Sequence, residues 1–238
     1  MDRRRLPKNS AALEDGRNAL TPPERASIPV AFPIAHGAVI IDFCGPWEVF
    51  HSADIPGRHG DAFQTYTVAE TLEPITASGG MKIIPNHTFQ TAPAPKVVVI
   101  SDQAPPTQAM LSWVRSVTTA TDVTMSVCTG AFLLAETGLL SGKSATTFHD
   151  AYARFEAAYP DVHLKRGARF VEDGNLASAG GLSSGIDLAI RVIERYFGRE
   201  AAERTAYTLE YQGTGWQDPD SNGTYARSLT FAPINKPA

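Results

Sequence analysis

The sequence predicts a three-layer α/β domain, a mostly parallel sheet with helices on both faces. Three observations carry this. From Ile28 onward, apolar strand-like runs alternate with segments of helical period. Two of the runs, Lys96–Ile100 and Val123–Val127, are continuous and rich in β-branched residues, the pattern of strands covered on both faces. A hairpin signal, Asp173-Gly174, stands between two short strand-like runs late in the chain.

Taken in order, Pro29–Ile34 is a short strand weakened by its prolines. Gly45-Pro46 opens a helix through Trp47–Phe50, with Pro46 at the first-turn position that tolerates a missing N–H. Phe63–Ala69 alternates as a second strand, and Ile75–Phe89, with Ser78-Gly79-Gly80, reads as a hairpin or an irregular edge excursion. After the Lys96–Ile100 strand, Thr107–Thr118 is a helix with Met110, Leu111 and Val114 on one face. Val123–Val127 is followed by a helix from Gly130 to Leu140 that closes at Gly138. Ser144–Thr147 is a short strand, and Asp150–Tyr159 a helix stopped by Pro160. Arg169–Val171 and Asn175–Ser178 flank the hairpin turn. Gly185–Phe197 is amphipathic through Ile186, Ala189, Ile190, Ile193 and Phe197, with Gly198 at its end, and Ala201–Leu209 is the last helix.

Residues 1–27 are polar, carry Pro22-Pro23 and show no hydrophobic period, so a flexible arm is expected there, then the domain over residues 28–212, then a loose tail over residues 213–238. The start Met1-Asp2-Arg3-Arg4-Arg5-Leu6 is similar to the opening of a twin-arginine export signal. Glu14, Asp15 and Arg17 interrupt the apolar stretch that such a signal needs, so the cytoplasm is the expected location and export the minor alternative. No run of about 18 apolar residues occurs, and no membrane partner is expected. With 43% hydrophobic and 19% charged residues, the composition excludes a wholly disordered chain. The net charge of −4 speaks against sequence-independent nucleic-acid binding. Cys44 and Cys128 are the two cysteines, too few for a disulfide-dense scaffold. His36, His51, His59, His87 and His163 show no metal-ligand spacing, and Gly79-Gly80 and Gly180-Gly181 make no phosphate-binding fingerprint.

Ligand sites in open α/β sheets lie outside the carboxyl ends of the strands. That rule singles out Ile41–Gly45, Ser101–Ala104, Cys128–Gly130 and Ala179–Ser183. Cys128 falls between a buried strand and a helix, where the helix dipole is expected to stabilise a thiolate. The N–H of Thr129 would face an anion formed there, and Gly130 allows the backbone a close approach. The alternative is a small buried hydrophobe at a strand end. With Pro46 opening the helix, Gly45 is the cap and Asp42 stands three residues too early to cap it. Asp42 is thereby free to share a proton with a thiol and act as general acid. Cys44 faces the same pocket or pairs with Cys128 under oxidation. His149 either lines the pocket or caps its helix and meets solvent. Gly180-Gly181 allows tight packing, and Asp187 favours the dipole of its helix.

Four segments in this order resemble the ThiJ/PfpI superfamily, most nearly its isonitrile hydratase branch and the sensor domains of some AraC-type regulators. They are Ile41–Phe50, Ser126–Ala135, Gly138–Thr147 and Gly180–Asp187, and the resemblance spans about residues 28–212. It implies a flavodoxin-like, class I glutamine-amidotransferase-like fold, a homodimer, and neither metal nor organic cofactor. It also implies a nucleophilic cysteine at Cys128, an acid–base aspartate at Asp42, and a pocket lined by the N–H and hydroxyl of Thr129. Relatives with peptidase or glyoxalase assignments carry a His after the Cys and a Glu where Asp42 stands, so Thr129 argues against a Cys-His dyad. Two departures stand out. Ser101-Asp102-Gln103 replaces the family's Pro-Gly-Gly, whose backbone helps form the oxyanion pocket, and Asp102 adds a charge that raises a nearby thiol pKa. Phe148 intervenes before His149, where the hydratase text has its His directly after the Thr-Thr pair. Ser101, Asp102, Gly130, Cys44, His149 and Gly181 are the pocket or oxyanion candidates.

The expected function is cysteine-dependent hydration of a small electrophilic molecule, an isonitrile giving an N-substituted formamide. The alternatives are a non-enzymatic redox or metabolite sensor of the same fold, or a cofactor-independent glyoxalase. AraC-type relatives attach a helix-turn-helix region after this domain, and residues 198–238 are too few for two such units. The expected partners are therefore a small-molecule substrate and a second copy of the chain, with no nucleic acid.

Overall fold

The computed structural model describes residues 18–226. Strand β1 (Ile28–Pro33) leads through helix α1 (Ile40–His51) to β2 (Phe63–Ala69). An excursion follows, in which β3 (Ile75–Thr76) and β4 (Lys82–Ile83) form a small antiparallel ladder and β5 (His87–Thr88) returns to the sheet edge. Next come β6 (Val97–Ile100), α2 (Gln108–Thr118), β7 (Val123–Val127) and α3 (Gly130–Glu136). Then β8 (Ser144–Ala145), α4 (Tyr152–Ala158) and β9 (His163–Leu164) precede the hairpin of β10 (Phe170–Asp173) and β11 (Leu176–Ala179). Helices α5 (Ser184–Phe197) and α6 (Arg199–Thr208) complete the domain.

The main sheet has the order β10-β11-β7-β6-β1-β2-β5, parallel throughout except between β10 and β11. All four residues of β6 and all five of β7 are buried, as strands with helices on both faces must be. One apolar layer packs α1, α5 and α6 against one face through Phe43, Phe50, Leu188, Ile193 and Ala202. The other packs α2, α3 and α4 against the opposite face through Leu111, Val114, Leu134 and Phe155. The chain order turns away from β1 in two directions, to β2 through α1 and to β6 on the other side. Such a reversal opens a crevice at the strand ends. Into it run the start of α1, the end of β6 and the end of β7.

Three expectations need correction. Helix α1 begins at Ile40 with Val39 as its cap residue, so Asp42 lies in its first turn and Pro46 inside it. The proline removes one N–H from the ladder, yet its ring is buried, and a Cβ placed on Gly185 of α5 would lie 3.3 Å from it. Packing outweighs the lost hydrogen bond. Ser144-Ala145 does not join the main sheet but pairs in parallel with β9, an element the sequence reading passed over. Finally, residues 213–226 are not loose. Trp216 is buried against the body, Arg199 lies 4.9 Å over its ring, and Asn222 accepts a hydrogen bond from Arg169 at 3.1 Å.

Before β1, Leu20 donates its N–H to the Arg195 carbonyl at 2.8 Å, and Arg195 donates to the Asn18 carbonyl at 2.9 Å. Residues 1–17 and 227–238, which hold the rest of the expected arm and tail and the twin-arginine-like start, lie outside the described residues. Among the described residues no helix is long and apolar enough to cross a membrane.

Candidate active site

Cys128 sits on the turn between β7 and α3 with a φ of 59°, in the left-handed region that residues with a Cβ rarely adopt. The surroundings hold it there. Its N–H donates to the Gly180 carbonyl at 2.9 Å, and its carbonyl accepts from the Thr147 hydroxyl at 2.9 Å. Gly130 follows because nothing larger fits: a Cβ there would stand 2.3 Å from the Ile100 carbonyl oxygen. The side chain of Cys128 is thus turned away from the strand, and the backbone N–H groups of Thr129 and Leu182 face its sulfur and pull its pKa down. Leu182 also has a positive φ, 36°, so two strained residues meet at one atom.

Asp42 approaches from the first turn of α1. It is wholly buried, its Oδ2 accepts the N–H of Asp102 at 3.2 Å, and its Oδ1 has no hydrogen-bond partner. The Cys128 thiol lies close enough to this carboxyl for each group to shift the pKa of the other. Burial, far more than any charge, pushes the Asp42 pKa up to about 7, and the Asp102 carboxylate adds to the rise. The Cys128 thiol is pushed up to about 12 by burial and then by the negative Asp42, against the pull of the Thr129 and Leu182 N–H groups. This corrects the expectation of a dipole-stabilised thiolate. Removal from water and a carboxylate neighbour outweigh two backbone donors. At neutral pH the thiol therefore keeps its proton, while Asp42 stands near the midpoint of its own titration.

The other candidates divide. Ser101 is buried with an unpartnered hydroxyl, and the Asp102 N–H, expected in an oxyanion pocket, is committed to Asp42. Gly130 serves the close backbone approach. Cys44 is half-buried in the packing of α1, a free thiol like Cys128. Two cavities flank the pair. One, of about 350 Å³, is lined by Ser101, Asp102, Thr129, Gly130, Phe132 and Arg154. The other, of about 200 Å³, is lined by Phe148, His149, Arg169, Leu182, Asn222 and Tyr225, with Gly181 at its floor. Cys128 itself is 5% exposed. Its successor Thr129 borders the first cavity, and its hydrogen-bonding neighbours Thr147, Gly180 and Leu182 border the second.

His149 thus lines a pocket, with its Nε2 3.2 Å from an Asp150 carboxylate oxygen. Gly181 is small because a Cβ there would lie 2.7 Å from the Phe148 ring. Asp187 does more than favour a dipole. It is buried and ion-paired to Arg169 at 2.5 Å, with the Tyr211 hydroxyl donating to it at 3.0 Å. Arg169, Asn222 and Tyr225 were missed in the sequence, and Leu182 was reached only as part of the Ala179–Ser183 segment. Leu182 contributes a backbone N–H, which no side chain advertises, and the others come from segments without a motif. Among the described residues no cluster of three or more His, Cys, Asp or Glu could hold a metal ion.

A strained cysteine paired with a buried carboxylate at the crevice of a mostly parallel sheet defines a family. The chain belongs to the DJ-1/PfpI family, which matches residues 29–195. It is 33% identical over 176 residues to the isonitrile hydratase of Pseudomonas putida, covering 72% of this chain and 73% of that protein. It is 26% identical to the HTH-type transcriptional regulator CdhR of Pseudomonas aeruginosa over 60% of this chain, which spans only 44% of that regulator's length. Among solved structures, a THiJ/PfpI family protein from Pseudomonas syringae superposes with a TM-score of 0.69 at 24% identity, covering 87% of this chain and 84% of that one.

Proposed function

We propose that the protein hydrates an isonitrile to an N-substituted formamide through Cys128 and Asp42. One observation carries the reading: the Cys128 thiol and a wholly buried carboxyl without a cationic partner influence each other's ionisation in a crevice flanked by two cavities. Asp42 takes the thiol proton as sulfur bonds to the terminal isonitrile carbon, then delivers that proton to the same carbon. The product is a thioformimidate on Cys128, with every atom of substrate and thiol retained. Asp42, again a carboxylate, removes a proton from water as its oxygen adds to the imidate carbon, and the imidate nitrogen gains a proton. The C–S bond then breaks with its electron pair on sulfur, stabilised by the N–H groups of Thr129 and Leu182. The thiol is reprotonated and the formamide leaves. Similarity to an isonitrile hydratase supports this choice of substrate.

The test is formamide production from phenyl and methyl isonitrile by the purified protein. Cys128→Ala reduces the rate to background, and Asp42→Asn lowers it by about 10²–10⁴-fold. Equal rates in all three proteins would remove both residues from the chemistry. Similarity to transcriptional regulators supports a second reading, a ligand sensor of the same fold. A redox form of it is less favoured, because a thiol held protonated is a poor target for oxidants. A sensor binds its ligand equally well in Cys128→Ala and turns nothing over.

A further inference from the structure

From the cavity on the Leu182 side the proposed chemistry uses only the Leu182 N–H, and that cavity has a character of its own. Four rings line it, those of Phe148, His149, Tyr152 and Tyr225. Phe148 and His149 lie 4.4 Å apart between centroids, and His149 and Tyr225 lie 4.9 Å apart. The one cation in its lining is spent. Arg169 donates to Asp187 from Nε at 2.7 Å, to Asn222 from Nη1 at 3.1 Å and to Ser183 from Nη2 at 3.1 Å. The buried Asp187 carboxylate cancels its charge. The same contacts fasten residues 211–226 to the domain through Tyr211 and Asn222, and so bring Tyr225 to the cavity. The cavity measures about 200 Å³, room for a single ring, and its lining mixes these rings with the polar side chains of Thr147, Ser183 and Asn222. Its backbone border at Gly180 and Leu182 is the backbone that holds Cys128.

We infer that this cavity is the specificity pocket for the substituent carried by the substrate, and that it selects a neutral, single-ring aromatic group. Phe148, His149 and Tyr225 recognise that ring, and the Arg169–Asp187 pair is a positioning device that holds the Tyr225 wall in place. The inference rests on the hydratase reading for its substrate and on the cavity for its selectivity. Phe148, the residue that departs from the resembled hydratase text, becomes a determinant of selectivity.

The experiment compares kcat/KM for phenyl and methyl isonitrile in wild type, Tyr225→Ala and Gly181→Ala. In parallel, N-phenylformamide is added to Cys128→Ala while the His149 ring signals are followed by NMR. Tyr225→Ala removes one wall of the cavity. Gly181→Ala forces the Phe148 ring to move, and its backbone conformation tolerates a Cβ. The phenyl-to-methyl ratio falls about tenfold in each variant, and N-phenylformamide shifts the His149 signals. Turnover with an unchanged ratio and no shift overturns the inference and leaves the hydratase reading standing. A shift without turnover of either isonitrile overturns the hydratase reading and supports the pocket's preference for an aromatic group. Neither turnover nor shift overturns both.

Discussion

Among the described residues two aspartates are wholly buried, and they differ in what stands opposite them. Asp187 on α5 meets a guanidinium and a phenol. Its charge is matched, and it fastens the chain from Tyr211 to Asn222 onto the domain. Each aspartate has one oxygen without a hydrogen-bond partner, but Asp42 on α1 meets a backbone N–H and a neighbouring thiol and no cation. Its charge is unmatched, so burial raises its pKa into the neutral range. A buried carboxylate with a cation is a structural tie. One without a cation is a store of free energy that a proton transfer can release.

The comparison is broken most sharply by amide substitutions at the two positions. Asp42→Asn lowers isonitrile hydration by about 10²–10⁴-fold, whereas Asp187→Asn retains the chemistry at Cys128 and fails in stability. Removing one partner of a buried ion pair costs about 3–5 kcal/mol, read by urea denaturation, because Arg169 then keeps a charge that nothing balances. A loss at Asp187 no larger than that of a surface substitution contradicts its role as a tie.

Stability at Asp42 runs the other way. The folded state favours the acid form, so the contribution is fully present below pH 3.8 and is lost as the pH rises through about 7. Asp42→Asn has no such loss. At pH 8 it is more stable than wild type, on the order of 2–4 kcal/mol, and the difference narrows toward pH 4. Parallel denaturation curves at the two pH values measure it.

The smallest effect concerns sulfur. Taking away the Asp42 charge lowers the Cys128 pKa, so Asp42→Asn is alkylated by iodoacetamide about tenfold faster at pH 8. Of the two aspartate variants, the one expected to lose the proposed hydration is then the one whose thiol reacts more readily. Slower alkylation in the variant shows that Asp42 activates the thiol rather than restraining it.

The sequence revealed one of these aspartates more fully than the other. The β-branched runs at Val97–Ile100 and Val123–Val127 were legible because strands inside a parallel sheet leave a continuous apolar signature. The hairpin at Gly174 was legible because its positive φ of 69° suits glycine. Asp42 was picked out although its reason was mistaken: Pro46 does not open α1, and the residue lies in the first turn rather than ahead of the helix. Asp187 was read as a dipole partner because its real partners, Arg169 and Tyr211, are distant in sequence and belong to no motif. The Cys128 turn was placed correctly, yet the ionisation of its thiol was not. Local position suggests a thiolate, and only the packed surroundings show that burial and Asp42 prevail.

The most direct measurement is the carboxyl titration of Asp42, followed by ¹³C NMR in protein labelled at aspartate and assigned by comparison with Asp42→Asn. The account predicts one aspartate with a midpoint near pH 7, absent from the variant. A midpoint for Asp42 near the ordinary 3.8 contradicts it, because the buried carboxylate would then be no stronger a base toward the Cys128 thiol than one in water.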